Sequence, residues 1–485
     1  MQAITRGYQL HGRRKIYTNQ SSITRENVAQ VLAKALPLHW KNAAECTYLY
    51  DYYKGVQDIR DKVKLARPEI NNKVTVNIAN EIVTFDTSYF NTAPIQYVAA
   101  GGQDAASEAV EKLNRFMRAE DKESKDKETC DWFHICGVAP RLCLADPEDE
   151  PEGSPACIYT LDPREAFVVY YSGVGQRPML GVVLQKDEEG RDLALCYTRE
   201  TLFQVREGEV IHQEARVLPY IPLVEYLNNE ARMGAFEPVI PLLNAINVLE
   251  SNRVDNVQDF VNAFDVFQNC ELKEGEYAKL SQGGMYIQIS SPDVGKESKG
   301  YRIASELNQS GVQQAIDDLY ANVLRICGMP SQSGASASTS DTGTATIYRN
   351  GWYSAEARAS DTEKLFNRAE RQFLKVFLAV CASTSDLELS LEDIKIEHTR
   401  NNLSNMLSRM QILTEGLNNS KIHPKIPWLL SGVPNAEECY RMSQEYYTEQ
   451  QEQLAQSLRP AFSQRQDQEQ EESQRQEESQ VKDNV

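Results

Sequence analysis

The 485-residue chain lacks any uninterrupted apolar run near the roughly 18 residues that read as a membrane span. Its longest candidate, Phe373 to Ala382, is broken by Lys375. Arg6, Arg13, Arg14 and Lys15 have no apolar core behind them, so no secretory signal is expected. Ten cysteines occur without one CxxC pair, which argues against a disulfide framework or a zinc site. The nearest approach to a ligand set is Cys130, His134, Cys136 and Cys143. Buried thiols in a reducing cytoplasm are the expected state. The chain also lacks a basic excess, with 51 Lys and Arg against 70 Asp and Glu and a formal net charge of −19. A tight nucleic-acid binder gains affinity by replacing counterions with Lys and Arg, and this balance runs the other way. It suits a surface past which DNA moves without sticking, and equally an ordinary soluble protein.

Catalytic patterns are as sparse. No GxxxxGK[ST] loop exists, so the chain is not itself a P-loop motor. Asp341-Thr342-Gly343 has the triplet of aspartic proteases, but without a second copy and among serines and threonines. Asp317 and Asp318 are adjacent on a predicted helix, hence on diverging faces, and read as solvated acids. Gly173-Val174-Gly175 lacks the third glycine and the helix of a dinucleotide loop, and a turn is expected there. The six histidines form no local pattern. No enzyme activity, cofactor or metal is expected.

Apolar residues make up 41% of the chain, and its length suggests about three domains at roughly 150 residues each. Helical spacing marks Val28 to Leu36, then His39 to Lys54, Ile78 to Tyr89, Asp104 to Arg118 and Glu128 to Cys136. Val74, Val76 and Ile78 alternate briefly; Pro94 should end the helix over Ile78 to Tyr89, and Ile95 to Val98 should be extended. After Gly137 the period becomes two. Seven strands are predicted: 142–144, 156–161, 166–171, 179–185, 193–197, 202–206 and 210–213, a mostly antiparallel region of about eighty residues.

From Phe236 to Phe267 the apolar positions Phe236, Val239, Ile240, Leu243, Ile246, Leu249, Val254, Val257, Val261 and Phe264 keep one helix face. At ~1.5 Å per residue that rod spans roughly 48 Å, too long to bury its stripe unaided. A polar insertion follows, 269–308, then a return helix through Val312, Ile316, Val323 and Ile326. Residues 331–345 are almost wholly small and polar. A third long helix begins at Thr346, a strand lies within 387–396, and helices cover 403–417 and 436–455 around a Pro424–Pro427 loop. The Gln- and Glu-rich end reads as a disordered acidic tail.

This order of parts resembles the tailed-phage portal proteins, in the branch found in siphophages of Gram-positive hosts. YFNTAPIQY (89–97) is similar to that family's aromatic–Gly–x–Pro segment, with Thr92 near the preferred glycine. FEPVIPLLNAINVLESNRVDNVQDFVNA (236–263) resembles its stem helix, TGTA (342–345) its Ser-Gly-x-Ala, and HTRNN (398–402) its strand-to-crown junction.

The resemblance implies an α+β portal fold: an arm and helix (1–40), a wing (41–235), a stem helix (236–267) and a clip (268–310). A second stem helix (311–330), a tunnel loop (331–345), a long wing helix (346–389), a crown (390–455) and the tail (456–485) complete it. It implies a ring, usually a dodecamer, at one capsid vertex of the virion, assembled in the host cytoplasm. Double-stranded DNA would pass through regardless of sequence. The implied partners are the major capsid protein, the scaffolding protein, the terminase large subunit and a head–tail adaptor, with no membrane. Gln332, Ser333, Gly334, Ser336, Ser338, Thr339, Ser340 and Thr342 would face DNA. Lys273, Lys279, Lys296, Lys299 and Arg302 would meet partners at the clip, and Ile246, Leu249, Val257, Val261 and Phe264 would pack neighbouring stems. A helical adaptor or scaffold without a channel, or a hydrolase with a dispersed site, are the readings set against it.

Overall fold

The computed structural model describes residues 12–65, 68–100, 104–145, 153–216, 218–261, 264–269, 286–288, 297, 299–303, 309–331, 351–385, 387–400, 403–431, 433, 436 and 439–453. The chain divides into two units, one holding residues up to Tyr97 and Ala109–Arg400, the other Val98–Glu108 and everything from Asn401.

The larger unit opens with β1 (Ile16–Thr18) and α1 (Val28–Tyr53). Sequence spacing predicts two helices here, yet one helix runs through Pro37. An interior proline loses the bond to the carbonyl four residues back and costs ~3 kcal/mol. Burial on both sides offsets that cost. Val28, Val31 and Leu32 pack on the sheet residues Phe167, Val169 and Val182, while Leu49 and Tyr52 enter a second core with Ile82, Leu243 and Val323.

Next come α2 (Ile78–Phe90), β2 (Gln96–Ala99), α3 (Asp104–Ala119) and α4 (Lys122–Cys136). The preferred glycine near Thr92 is not needed. Thr92 keeps a negative φ, and its hydroxyl donates to the terminal carbonyls of Ser88 and Tyr89 at 2.9 Å. Gly137 ends α4 at φ +82°, and a Cβ there would lie 2.2 Å from the Arg232 carbonyl oxygen, so only glycine fits this turn.

The β region holds the seven expected strands and one that was not expected, Leu223–Leu227. The strands are β3 (Val138–Ala145), β4 (Ala156–Thr160), β5 (Ala166–Tyr171), β6 (Pro178–Lys186), β7 (Asp192–Tyr197), β8 (Thr201–Arg206), β9 (Glu209–Ala215) and β10 (Leu223–Leu227). One sheet has the order β1-β5-β6-β7-β8-β9, an antiparallel meander to which β1 adds in parallel, Ile16 opposite Val169. The other is β10-β3-β4, antiparallel throughout. Strand β3 starts four residues before its predicted Leu142, because Val138 to Cys143 are buried on both faces and show no alternation. The two sheets share a core of Leu142, Val168, Tyr197 and Leu223.

After β10 a short 3-10 turn (Glu237–Val239) leads into α5 (Ile240–Val261), then β11 (Phe264–Gln268), β12 (Tyr286–Gln288), β13 (Lys299–Ile303) and α6 (Gln309–Cys327). α7 (Trp352–Thr384) and β14 (Ile394–Glu397) close the unit. The predicted start of α7 at Thr346 lies outside the described residues. In the smaller unit, α8 (Leu403–Leu417) packs on α9 (Lys425–Ser431), and residues 439–453 are helical. The loop expected across Pro424 and Pro427 is instead partly α9. Pro427 sits in its first turn, where an amide has no intrahelical partner to lose.

α7 carries one carboxylate into the middle of the larger unit. Glu370 is fully buried, with Lys122 Nζ at 2.9 Å and Arg141 Nη1 at 3.6 Å, and it accepts from the Tyr97 and Tyr226 hydroxyls. Asp126 completes two buried charge pairs, 2.6 Å from Lys122 and 2.7 Å from Arg141. Burial pushes the Glu370 carboxyl up, but the two cations and two hydroxyls outweigh it and bring it down to about 2. A carboxylate depressed on folding contributes stability that is complete above its unfolded value near 4.3 and is lost as pH falls through the folded one. Urea midpoints should therefore decline from about pH 4.5 toward 2, and Glu370→Gln should flatten that acid limb while lowering stability at pH 7.

Candidate functional site

α5 and α6 form a helical hairpin, and β11, β12 and β13 make a small sheet between them in sequence. At the root of the hairpin Leu243 and Ile246 face Ile316, Val323, Leu324 and Cys327 in one core with α1 and α2. Farther out the contact turns polar. Arg253 donates from Nε to Gln309 Oε1 at 2.8 Å and from Nη1 to Gln313 Oε1 at 2.5 Å.

The helix predicted to Phe267 stops at Val261, and Phe264–Gln268 is β11, the central strand of its sheet. Phe264, Val266 and Phe267 carry both periods, and pairing with Lys299–Ile303 selects the strand.

The polar side of α5 is where sequence reading fell short. Asn247, Ser251 and Asp255 are buried, not solvated. They hold residues 72–76, which run extended along the helix. Asn72 N donates to Asp255 Oδ1 at 2.7 Å, Val74 N to Ser251 Oγ at 3.0 Å, and Val76 N to Asn247 Oδ1 at 2.8 Å. Four residues of helix rise ~6 Å and two of extended chain ~6.6 Å, so the two repeats keep step. The alternation at Val74, Val76 and Ile78 is thus real, but its ladder is made with side chains of a helix and not with a strand. Lys62 Nζ stands 3.0 Å from Asp255 Oδ2. Burial raises the Asp255 carboxyl, and the Asn72 amide with Lys62 more than reverses it, so it stays ionised. The signal available in sequence was the spacing of four at 247, 251 and 255.

Each expected site residue has a definite standing. Ile246 is 1% exposed inside its own chain's core and cannot pack a neighbouring stem, so that expectation is corrected; Leu249 is only partly buried against the same core. Val257 is 46% exposed on the distal half of α5. The side chains of Val261, Phe264 and Arg302 lie outside the described residues, as do Lys273, Lys279 and Lys296. Arg302 pairs in the ladder opposite Asp265, and exposed Lys299 stands 4.0 Å from Glu297. Gln332, Ser333, Gly334, Ser336, Ser338, Thr339, Ser340 and Thr342 also lie outside, with Asp341-Thr342-Gly343 and the tail.

The anchors on either side of 332–350 are well defined. A Cβ on Gly351 would lie 3.5 Å from both the Met329 carbonyl oxygen and Pro330 Cα, so the segment leaves and returns at one place. Trp352 packs on Phe85 and Tyr89, and Arg358 Nη1 donates to the Ile326 carbonyl at 3.0 Å. Nearby, burial lifts the Asp86 carboxyl to about 7 against the pull of Arg358.

The weaker constellations resolve into structure. Cys130, Cys136 and Cys143 are buried thiols whose pKa values burial pushes up, and His134 meets the Thr87 hydroxyl at 3.0 Å. Among the described residues no group of three or more His, Cys, Asp or Glu is placed to hold a metal ion. Asp317 and Asp318 are exposed, and Gly173–Gly175 is the turn between β5 and β6. No helix among the described residues is long and apolar enough to cross a membrane.

The α5–α6 hairpin, with a small sheet between its legs in sequence, is thus rooted on a two-sheet body. The family model for phage portal protein, SPP1 Gp6-like, matches residues 33–479, and the chain belongs to that family. It is a portal protein, and membership brings with it homo-oligomeric assembly and association with the capsid. No curated protein matches the sequence. Among solved structures, a chain from the neck of an empty GTA particle, computed with C6 symmetry, is similar at 11% identity, covering 73% of this chain and 90% of that one, with a TM-score of 0.43.

The strap makes a local prediction. Asn247→Ala leaves the half-buried Val76 amide without its acceptor, at about 1–3 kcal/mol. Amide exchange at Val74 and Val76 should quicken by one to two orders of magnitude, about the factor that cost implies, while exchange in β5 to β8 keeps its rate.

Proposed function

We propose that this portal protein forms a ring, a dodecamer, at one capsid vertex, and that double-stranded DNA is packaged and later ejected through its centre. The reading rests on the division of the α5–α6 hairpin. Its root packs into its own chain's core, while Val254 and Val257 on the distal half of α5 are 36% and 46% exposed. Copies set around an axis would cover that apolar face, as closed rings do with heterologous contacts.

In this arrangement α5 and α6 form the stem, and residues 268–310 the clip, which docks the terminase large subunit and then the head–tail adaptor. Residues 331–345 form the tunnel loop. Its hydroxyls make brief, sequence-blind contacts with phosphate, and few cations keep any one contact from arresting the duplex. The two-sheet body and α7 serve as wing against the major capsid protein and the scaffolding protein, and residues 390–455 as crown. The protein's role is structural, in the virion, after assembly in the host cytoplasm.

Native mass with negative-stain imaging tests the ring. A strict monomer across salt and concentration, or a small assembly without a hole, would favour the adaptor reading instead. Val257→Asp should shift the ring toward monomer by about tenfold or more, since a charge replaces buried apolar surface. Deleting 336–340 should leave the ring intact and block DNA packaging. Loss of the ring in that deletion would make the segment structural.

A further inference from the structure

The larger unit holds a cleft of about 670 Å³ between the ends of β5, β6 and β10 and one face of α7. Its charge opposes that of the chain. Six cations line it against two carboxylates, in a protein where acids outnumber bases 70 to 51. The two carboxylates are already engaged, Glu225 by Arg232 at 3.1 Å and Glu230 by Arg368 at 2.8 Å. The other four cations, Lys15, Arg177, Arg199 and Lys375, have no carboxylate partner among the described residues. Lys15 spends its ammonium on Gln176 Oε1 at 3.0 Å and on the Tyr170 ring, 4.2 Å from its centroid. Arg177 reaches the Ser21 carbonyl at 3.2 Å. Lys375, the charge that interrupts the longest apolar run of the sequence, is half-buried and makes no hydrogen bond or ion pair among the described residues. Burial lowers the Lys15 pKa, with Arg232 and Arg368 lowering it further and Glu225 and Glu230 opposing them.

Half-burying a lysine without a counterion costs free energy, and placing four unpaired cations around one cleft adds mutual repulsion. Both penalties are relieved by an anionic occupant. We infer that this cleft is a docking site for a carboxylate-rich polypeptide segment, its acidic side chains taken by Lys15, Arg177, Arg199 and Lys375. The two pairs already present show that the cations of this cleft accept carboxylates. Leu365 and Val376 on α7, with Tyr220 opposite, offer apolar wall to the methylene stems of glutamate. The volume falls in the roughly 300–1,000 Å³ range of sites that enclose a compact ligand, room for a few side chains and not for a duplex.

The inference stands apart from ring formation, which native mass scores separately. Fluorescein-labelled hexaglutamate, titrated into the full-length protein at low salt and followed by anisotropy, is the probe. Binding should occur, weaken with added salt, and fall by about fivefold or more in Lys375→Glu and in Arg199→Glu. Lys34→Glu, an exposed lysine outside the cleft, should bind as the unaltered protein does. Arg199 is exposed, so its variant remains informative if Lys375→Glu folds poorly. Absence of binding, equal binding by both cleft variants, or a short DNA duplex bound with the same dependence on Lys375 and Arg199 would each overturn the assignment.

Discussion

Everything about the hairpin depends on one constraint: α5 must bury a polar edge and still satisfy it. Asn247, Ser251 and Asp255 are sealed from solvent, and three buried polar groups without partners would each cost a few kcal/mol. They are satisfied because an extended segment passes at matching pitch and presents an amide to each. The segment gains as well, since residues 72–76 belong to no sheet and their amides would otherwise be orphaned. The same edge continues inward through Asn244, which accepts from the Tyr52 hydroxyl and donates to Asp58, both at 2.9 Å. One face of α5 is thereby pinned to α1 and its following loop by polar contacts, while the adjacent face is pinned to α6 by apolar ones.

The buried charges of the body act differently. Lys122, Arg141, Asp126 and Glu370 balance in sign, and each has a partner of opposite charge within hydrogen-bonding or ion-pair reach. Such a cluster adds little net stability over an apolar core of the same volume, because desolvation offsets the attraction. What it adds is register. Only one placement of α7 puts Glu370 between the two cations and under the hydroxyls of Tyr97 and Tyr226, which come from different strands. A slide of one turn, about 5.4 Å, would leave a carboxylate and two cations buried and unpaired. The rod that begins at Trp352 is thus fixed along its length.

Much of this was legible from residues alone. The meander was, because short runs rich in β-branched and aromatic residues are set off by turn residues such as Gly173–Gly175, Gly190 and Gly208. So were the two legs of the hairpin, whose apolar spacing survives a polar insertion. What escaped reading has a physical reason in each case. Pro37 lies inside α1 because two separate cores hold its halves, a tertiary fact no local rule contains. Phe264 to Gln268 became a strand because its partner lies more than thirty residues on, at Lys299–Ile303. Ile246 has the spacing of a residue free to meet a neighbour, and only the presence of α6 and α1 shows that it is taken. The strap was half visible, as a spacing of four on one segment and of two on another, but nothing in one sequence says that those segments meet.

The hairpin therefore has two regimes, and the chemistry of its residues follows them. Near the root Leu243, Ile246, Val323 and Leu324 are enclosed, and the polar edge is tied down by the strap. Past Arg253 the legs touch through glutamines and an arginine, contacts that cost little to break and re-form beside water. The valines of that half are left uncovered by their own chain. A subunit meant to stand alone gains nothing from exposing them on a rod so firmly held at its base. A subunit whose rods line up with copies of themselves needs that combination. The root then fixes the direction of each rod, so that the ordering cost of association is met within the chain before any neighbour arrives.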